Sequence, residues 1–279
     1  MSRLLGALLF GLALSLPMVS SAVEAPPILL ANVYRDQVDV ARYLVSEKLD
    51  GVRAIWDGQA LRFRSGRPIH APDWFIAGLP KQPLDGELWI ARGQFERVSG
   101  IVRHEVPDDA GWREVRYMVF ELPGVPGPFS ERAEQIRVLA QKVNLPWLRA
   151  IEQFSVVNRA SLKKHLDEVV RGGGEGLMLH LADAAYETGR SDVLLKLKPW
   201  QDAEAVVVAH QPGKGRFAGH LGALKVRTPE GREFLLGSGF SALQRQQPPA
   251  IGTTVTYRFR DLTNKGMPRF ASFLRVRDE

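Results

Sequence analysis

Two hydrophobic periods alternate along the chain after residue 23. Val52–Trp56, Leu84–Ile90 and Arg116–Phe120 carry strand-like runs, whereas Ser130–Val143 and Ser161–Val170 repeat apolar residues at the three-to-four spacing of a helix with one buried face. Ser130 with Glu131, and Ser161, read as helix starts, because a side-chain oxygen there accepts from the free amides of a first turn. Near Pro199-Trp200 the texture changes and the helical period disappears. Glu204–His210, Ala223–Arg227, Glu233–Gly237, Thr253–Arg260 and Arg269–Val276 predict five short strands separated by Gly- and Pro-bearing turns. The expected fold class is therefore α+β in two domains, residues 23–199 followed by a small five-stranded β-barrel over 200–279.

The residues before this pattern are of another kind. Arg3 precedes an almost wholly apolar run, Leu4–Leu16, and Ser20-Ser21-Ala22 supplies small residues at the positions a signal peptidase selects. The apolar run is well short of the roughly 20 residues of a membrane-spanning helix. Met1–Ala22 is thus expected to be a secretory signal peptide cleaved near Ala22, which predicts a periplasmic protein with no membrane attachment after cleavage. The chain has no Cys, so neither a disulfide framework nor a thiolate metal site is possible.

Composition excludes the extreme classes: 279 residues, 45% hydrophobic and 24% charged, describe a globular chain and neither a disordered nor a collagen-like one. Charge adds location. Residues 23–199 hold 24 basic and 24 acidic side chains, while 200–279 hold 12 and 7, so the excess sits on the small β domain. A basic barrel of the oligonucleotide-binding type behind a neutral domain predicts a phosphate backbone as partner.

The segment richest in chemistry is Ser46-Glu47-Lys48-Leu49-Asp50-Gly51-Val52-Arg53. An amine, a carboxylate and a guanidinium gather around one turn, a set suited to covalent phosphoryl chemistry once the amine is deprotonated. The same Asp-Gly also suits the turn of a simple β-hairpin.

Lys48-Leu49-Asp50-Gly51-Val52-Arg53 resembles motif I of the covalent nucleotidyltransferases, which include DNA ligases, RNA ligases and capping enzymes. Further resemblances follow in order: Arg64-Ser65-Gly66 to motif Ia, Asp85-Gly86-Glu87 to motif III, Tyr117-Met118-Val119-Phe120 to motif IIIa. Glu175-Gly176-Leu177-Met178 resembles motif IV, Lys196-Leu197-Lys198-Pro199 motif V, and Leu274–Glu279 motif VI. The resemblance implies an ATP-grasp-like adenylation domain followed by an OB-fold, with Lys48 attacking the α-phosphorus of ATP and Asp50 polarising it. It further implies Glu87 and Glu175 as ligands of Mg²⁺ or Mn²⁺ or of the ribose, Phe120 stacked on adenine, and Arg53, Lys196 and Lys198 on phosphate or ribose oxygens. Arg64 or Arg67 would take the motif Ia phosphate, and Arg277 the pyrophosphate. Glu121 stands where the family usually has Asp.

The absence of Cys and the short lead before motif I set this resemblance apart from NAD-dependent ligases and imply ATP as donor, and Gly213-Lys214-Gly215-Arg216-Phe217 with Asp261-Leu262-Thr263-Asn264-Lys265-Gly266 looks most like the minimal, exported bacterial ATP-dependent DNA ligases. That likeness implies a monomer that seals nicked duplex DNA, its barrel swinging about Pro199-Trp200-Gln201-Asp202. RNA ligation shares motif I and stays open. So does a nucleic-acid-binding protein with a decayed catalytic domain, although Lys48, Glu87, Glu175, Lys196 and Lys198 are all kept.

Overall fold

The computed structural model describes residues 25–263 and 265–277. The expected signal peptide and the last two residues of the motif VI-like ending lie outside the described residues. In chain order the elements are β1 (Leu29–Val33), β2 (Tyr43–Glu47), β3 (Val52–Trp56), β4 (Leu61–Phe63), α1 (Asp73–Ile76), β5 (Leu84–Trp89), α2 (Phe95–Arg103) and α3 (Asp109–Trp112). There follow β6 (Arg116–Glu121), α4 (Phe129–Val143), β7 (Leu148–Ala150), β8 (Phe154–Ser155), α5 (Arg159–Arg171), β9 (Leu177–Leu181) and β10 (Gly189–Leu197). The remainder is β11 (Gln201–Pro212), β12 (Leu221–Arg227), β13 (Glu233–Leu236), α6 (Ala242–Gln246), β14 (Thr254–Phe259), β15 (Asp261–Leu262), β16 (Pro268–Arg269) and β17 (Ser272–Val276).

Both predicted helices form, with different starts. Ser161 is the third residue of α5 and completes a capping box whose N-cap is Asn158, and α4 begins behind Pro128 with no side-chain cap. Proline there fixes φ and lacks the amide that a first turn leaves unpaired.

Residues 29–197 build two five-stranded sheets, ordered β1-β10-β9-β2-β8 and β4-β3-β5-β6-β7. Strand alternation gives each a buried face and a second face. Val45, Leu177, Leu179, Leu195 and Leu197 of the first sheet pack with Leu162 of α5, while Val52, Ala54, Leu84, Leu88, Tyr117 and Val119 of the second pack with Val98, Trp112 and Ile136 of its helices. The second faces look onto a shared cleft. β2 and β3, joined by Lys48-Leu49-Asp50-Gly51, belong to different sheets, so the Asp-Gly turn is a crossover and not a hairpin.

Arginines tie the sheets together. Arg132, fully buried on α4, donates to both oxygens of Glu121 (2.7 and 2.9 Å) and to the carbonyls of Gly127 and Ala184, the latter beyond β9. Arg53 on β3 donates to both oxygens of buried Asp85 (2.9 and 2.6 Å) and to the carbonyl of Leu29 on β1. Arg92, after β5, holds both oxygens of Glu47 and the carbonyl of Gly172.

The third large sheet runs β13-β12-β11-β14-β17 around its own core of Val207, Leu224, Val226, Leu236, Val255 and Phe273. The five expected strands are present, but closure into a barrel is not: among the described residues the edge strands β13 and β17 share no ladder. The sheet curls far enough for the Phe273 amide to donate to Ser238, just past β13. It meets the first sheet through Arg260, which donates to the Tyr34 carbonyl at 3.1 Å, and through Arg35, whose guanidinium lies 3.7 Å from the Phe270 ring centre. Both Arg258 and Arg260 lie against Trp200 at the start of this unit.

Removing one partner of a buried ion pair leaves the other charge uncompensated, at a cost of about 3–5 kcal/mol. Arg132→Ala is therefore expected to lower unfolding free energy by that amount in urea titrations, whereas Arg97→Ala, from the exposed pair with Glu114, leaves it nearly unchanged. Equal effects would show that Arg132 is not a structural tie.

Candidate active site

A cavity of about 270 Å³ occupies the cleft between the first two sheets. Lys48, Arg53, Arg64, Glu87, Phe120 and Lys196 all line it. The lysine is held in place from several directions. Its backbone amide donates to the Gly176 carbonyl at 2.8 Å, and its Nζ lies 2.5 Å from Glu175 Oε2. The other Glu175 oxygen takes Lys198 Nζ at 2.6 Å, so one carboxylate sits between two amines. Asp50 is exposed at the end of this cluster; partial burial and then the charge of Glu175 raise its carboxyl above the ordinary range, against Lys48 and Lys198.

Two glycines explain why the segments can meet. A Cβ on Gly51 would lie 2.4 Å from the Leu88 carbonyl oxygen and 2.8 Å from Glu87 Cγ. At Gly176, where φ is +154°, it would lie 2.2 Å from the Leu197 carbonyl. Only a residue without a side chain permits these approaches.

On the second sheet, register places Arg53 opposite Glu87 and Glu87 opposite Met118. β6 carries one residue more than β5 at its end, since Gly86 pairs with Val119 and Asp85 with Glu121, leaving Phe120 as a bulge. Bulges re-aim side chains; here Phe120 joins the cavity wall, and the Arg53 guanidinium lies 5.4 Å from its ring centre. Glu121 also lines the cavity, but both its oxygens are engaged by Arg132.

Not every predicted residue joins. Arg67 is exposed beside the Phe63 ring and does not line the cavity, so of the two motif Ia candidates only Arg64 does. Arg277 lies past β17, paired with Glu204 and away from the cavity. Sequence reasoning missed part of the wall: Ser46, Met178, Gln153, Phe129 and His180. His180 stacks on Phe129 with ring centres 3.5 Å apart. Burial, helped by the charge of Arg132, pushes its imidazole down to about 3, so it is neutral at physiological pH. Met178 and His180 signal a cavity position only by their alternation with Leu177 and Leu179 on β9.

A curated DNA ligase from Haemophilus influenzae is 37% identical to this chain over 256 residues, covering 92% of the chain and 94% of that protein. The chain belongs to the ATP-dependent DNA ligases. A family described as the DNA ligase OB-like domain matches residues 212–277 of this ligase. A solved Lig E DNA ligase, described as binding DNA with a minimal scaffold, is 47% identical, with 90% of this chain and 99% of that one covered at a TM-score of 0.65. A Chlorella virus DNA ligase-adenylate is 25% identical, covering 92% and 99%, with a TM-score of 0.53.

The small sheet carries the ligase's basic excess, but much of it is internally engaged. Lys225 and Arg227 share Glu233, and Arg245 turns inward to the carbonyls of Leu221, Gly222 and Gly237. Lys214 and Arg216, on the loop between β11 and β12, are exposed.

Burial, with Asp85 and Glu175 adding, lifts the Glu87 carboxyl from 4.5 to about 8, against the pull of Lys48 and Arg53. Folding therefore takes up a proton here: this group's stabilisation is complete below about pH 4.5 and is lost as pH rises through 8. Glu87→Gln, which cannot ionise, is expected to melt level with wild type near pH 4.5 and well above it at pH 8.5, by roughly 5 kcal/mol for a carboxyl raised from 4.5 to about 8. Calorimetry at both pH values checks this, and an identical offset at the two would refute it.

Proposed function

We propose that this ligase seals breaks bearing a 5′-phosphate and a 3′-hydroxyl in duplex DNA through a covalent lysyl-AMP on Lys48. The observation that supports this most directly is the Lys48–Glu175–Lys198 cluster beside a cavity whose walls combine cations, carboxyls and aromatic rings. Glu175, already in contact with Nζ, accepts the proton that Lys48 must lose before it attacks. The amine then forms a P–N bond to the α-phosphorus of ATP, and pyrophosphate leaves with the electrons of the α–β bridge. An oxygen of the DNA 5′-phosphate next attacks the α-phosphorus, making a P–O–P linkage as the P–N bond breaks, and Glu175 returns the proton to Nζ. Finally the 3′-hydroxyl attacks the 5′-phosphorus, giving up its proton to solvent, and AMP departs with the electrons of the P–O–P bridge. Lys196 and Lys198 stabilise charge on the phosphate oxygens during these transfers, and Phe120 stacks on the adenine.

No group of three or more acidic or histidine side chains among the described residues is arranged to hold a metal ion. Glu87 and Glu175 are the carboxyls that would hold Mg²⁺ at the phosphates, Glu87 by giving up its proton and Glu175 by releasing one of its two ammonium partners, with the remaining ligands from water and substrate. Bound there, it neutralises phosphate charge.

Residues 23–199 form the adenylation domain in this reading and 200–279 the OB domain. Arg277 reaches pyrophosphate only if the small domain moves about Pro199–Asp202, releasing the contacts of Arg260 with Tyr34 and of Arg35 with Phe270. Exposed Lys214 and Arg216 meet the DNA backbone. Residues 1–22 direct export to the periplasm. No described helix is long and apolar enough to cross a membrane.

Intact-mass spectrometry of protein stripped with pyrophosphate and then given Mg²⁺ with ATP, NAD or GTP tests the first step. One added AMP is expected with ATP alone and none in Lys48→Ala, whose sealing of nicked duplex DNA falls at least a thousandfold. An ATP adduct that persists in Lys48→Ala refutes the assigned nucleophile. An adduct in wild type with sealing only of nicked RNA favours the RNA-ligase alternative.

A further inference from the structure

One wall of the cavity is a row of side chains laid across neighbouring strands. Lys196 pairs with Met178 and Met178 with Ser46. β8 pairs Phe154 with Val45, so the next step of the same register sets Gln153 beside Ser46, one strand spacing of about 4.8 Å away. All four residues line the cavity, and Phe120 lines it from the other sheet. The row is therefore polarised, with an ammonium at one end and a neutral amide at the other. A cationic end suits phosphates, and an uncharged end with one aromatic ring nearby suits a base.

Gln153 has a second distinguishing property: its Oε1 is buried and has no hydrogen-bond partner among the described residues. Buried acceptors are ordinarily paired. The terminal amide torsion is soft and broad, so a modest turn offers this oxygen to the cavity while the stem stays packed. An amide presents an acceptor and a donor side by side, and adenine presents the complementary pair, its 6-amino group next to a ring nitrogen. Guanine in the same placement puts a 6-oxo group where the amine would be, leaving carbonyl facing carbonyl.

We propose that Gln153 is a specificity-determining residue of this ligase, its Oε1 accepting from the 6-amino group of the donor's adenine and its Nε2 donating to the adjacent ring nitrogen. The proposal rests on the reading of this cavity as the nucleotide-donor site, and its test separates the two. Single-turnover adduct formation is measured with ATP, with purine riboside triphosphate, which has hydrogen in place of the 6-amino group, and with GTP. Wild type is expected to favour ATP over purine riboside triphosphate by about 10–100-fold in kcat/KM, the size of one buried hydrogen bond. In Gln153→Leu that ratio collapses to within about threefold, because the ATP reaction loses both hydrogen bonds and the purine riboside triphosphate reaction only the one to the ring nitrogen, and exclusion of GTP weakens.

The ratio is taken within each variant, so a general loss of activity cancels. Gln153→Met, close to glutamine in length and lacking the amide, is the second variant should the first fail to fold. Adduct formation with a wild-type ratio in either variant overturns the role of Gln153 and leaves the donor site intact. So does loss of adduct with every donor in a variant that melts like wild type. No adduct with any donor in wild type overturns the donor-site reading itself, and the proposal with it.

Discussion

A cleft that must admit a ligand cannot be held together by apolar packing across it, because packing would fill it. In this ligase directional charge–dipole and charge–charge contacts take that part. Arg53 joins β3 to the Leu29 carbonyl on the opposite sheet, Arg132 joins Glu121 to the Ala184 carbonyl, and Arg92 joins the end of β5 to Glu47 and Gly172. A guanidinium has a fixed fork and several donors, so each of these contacts sets both distance and angle. Hydrophobic cores then lie behind each sheet, where they stabilise the walls without closing the gap.

This arrangement changes how individual motif residues are understood. Arg53 lines the cavity, but its fork is held by Asp85 and Leu29, so it shapes the wall as well as facing a ligand. Glu121 reaches a fully buried arginine, which ties the strand that bears Phe120 to the opposite sheet. Lys48 lies in the chain's crossover between the sheets, with its amide fixed by one strand end and its amine by a glutamate shared with Lys198. A side chain placed this way has few conformations left to lose.

Much of this was legible in the residues. The strands and helices with clean periods formed within a few positions of their expected limits; Lys48, Glu87, Phe120 and Lys196 line one cavity, and Glu175 and Lys198 lie against the lysine beside it. What escaped has physical reasons. β1, β2 and β8 are short, and their partners are distant in sequence, β1 pairing with β10 across some 160 positions, so no local period announces them. Gln153 sits just before a two-residue strand and becomes part of the wall only through its neighbour Ser46. Arg67 and Arg64 share a composition and differ only in which side of a turn they occupy, which spacing does not encode. The Asp-Gly of motif I has the chemistry of a hairpin turn, yet the two strands it joins find better partners in separate sheets.

The bulge in β6 bears on how such a site can change over time. Between Val119 and Glu121 the strand holds one residue more than its partner, and that extra residue is the aromatic one on the cavity wall. Exchanging Phe120 for another side chain alters a surface. Deleting it would remove the offset itself, shifting Glu121 along the ladder and separating it from Arg132. The strand's tolerance is thus one of spelling and not of counting: substitutions leave the frame of the pocket in place, whereas a single codon gained or lost would take apart the wall and the tie behind it together.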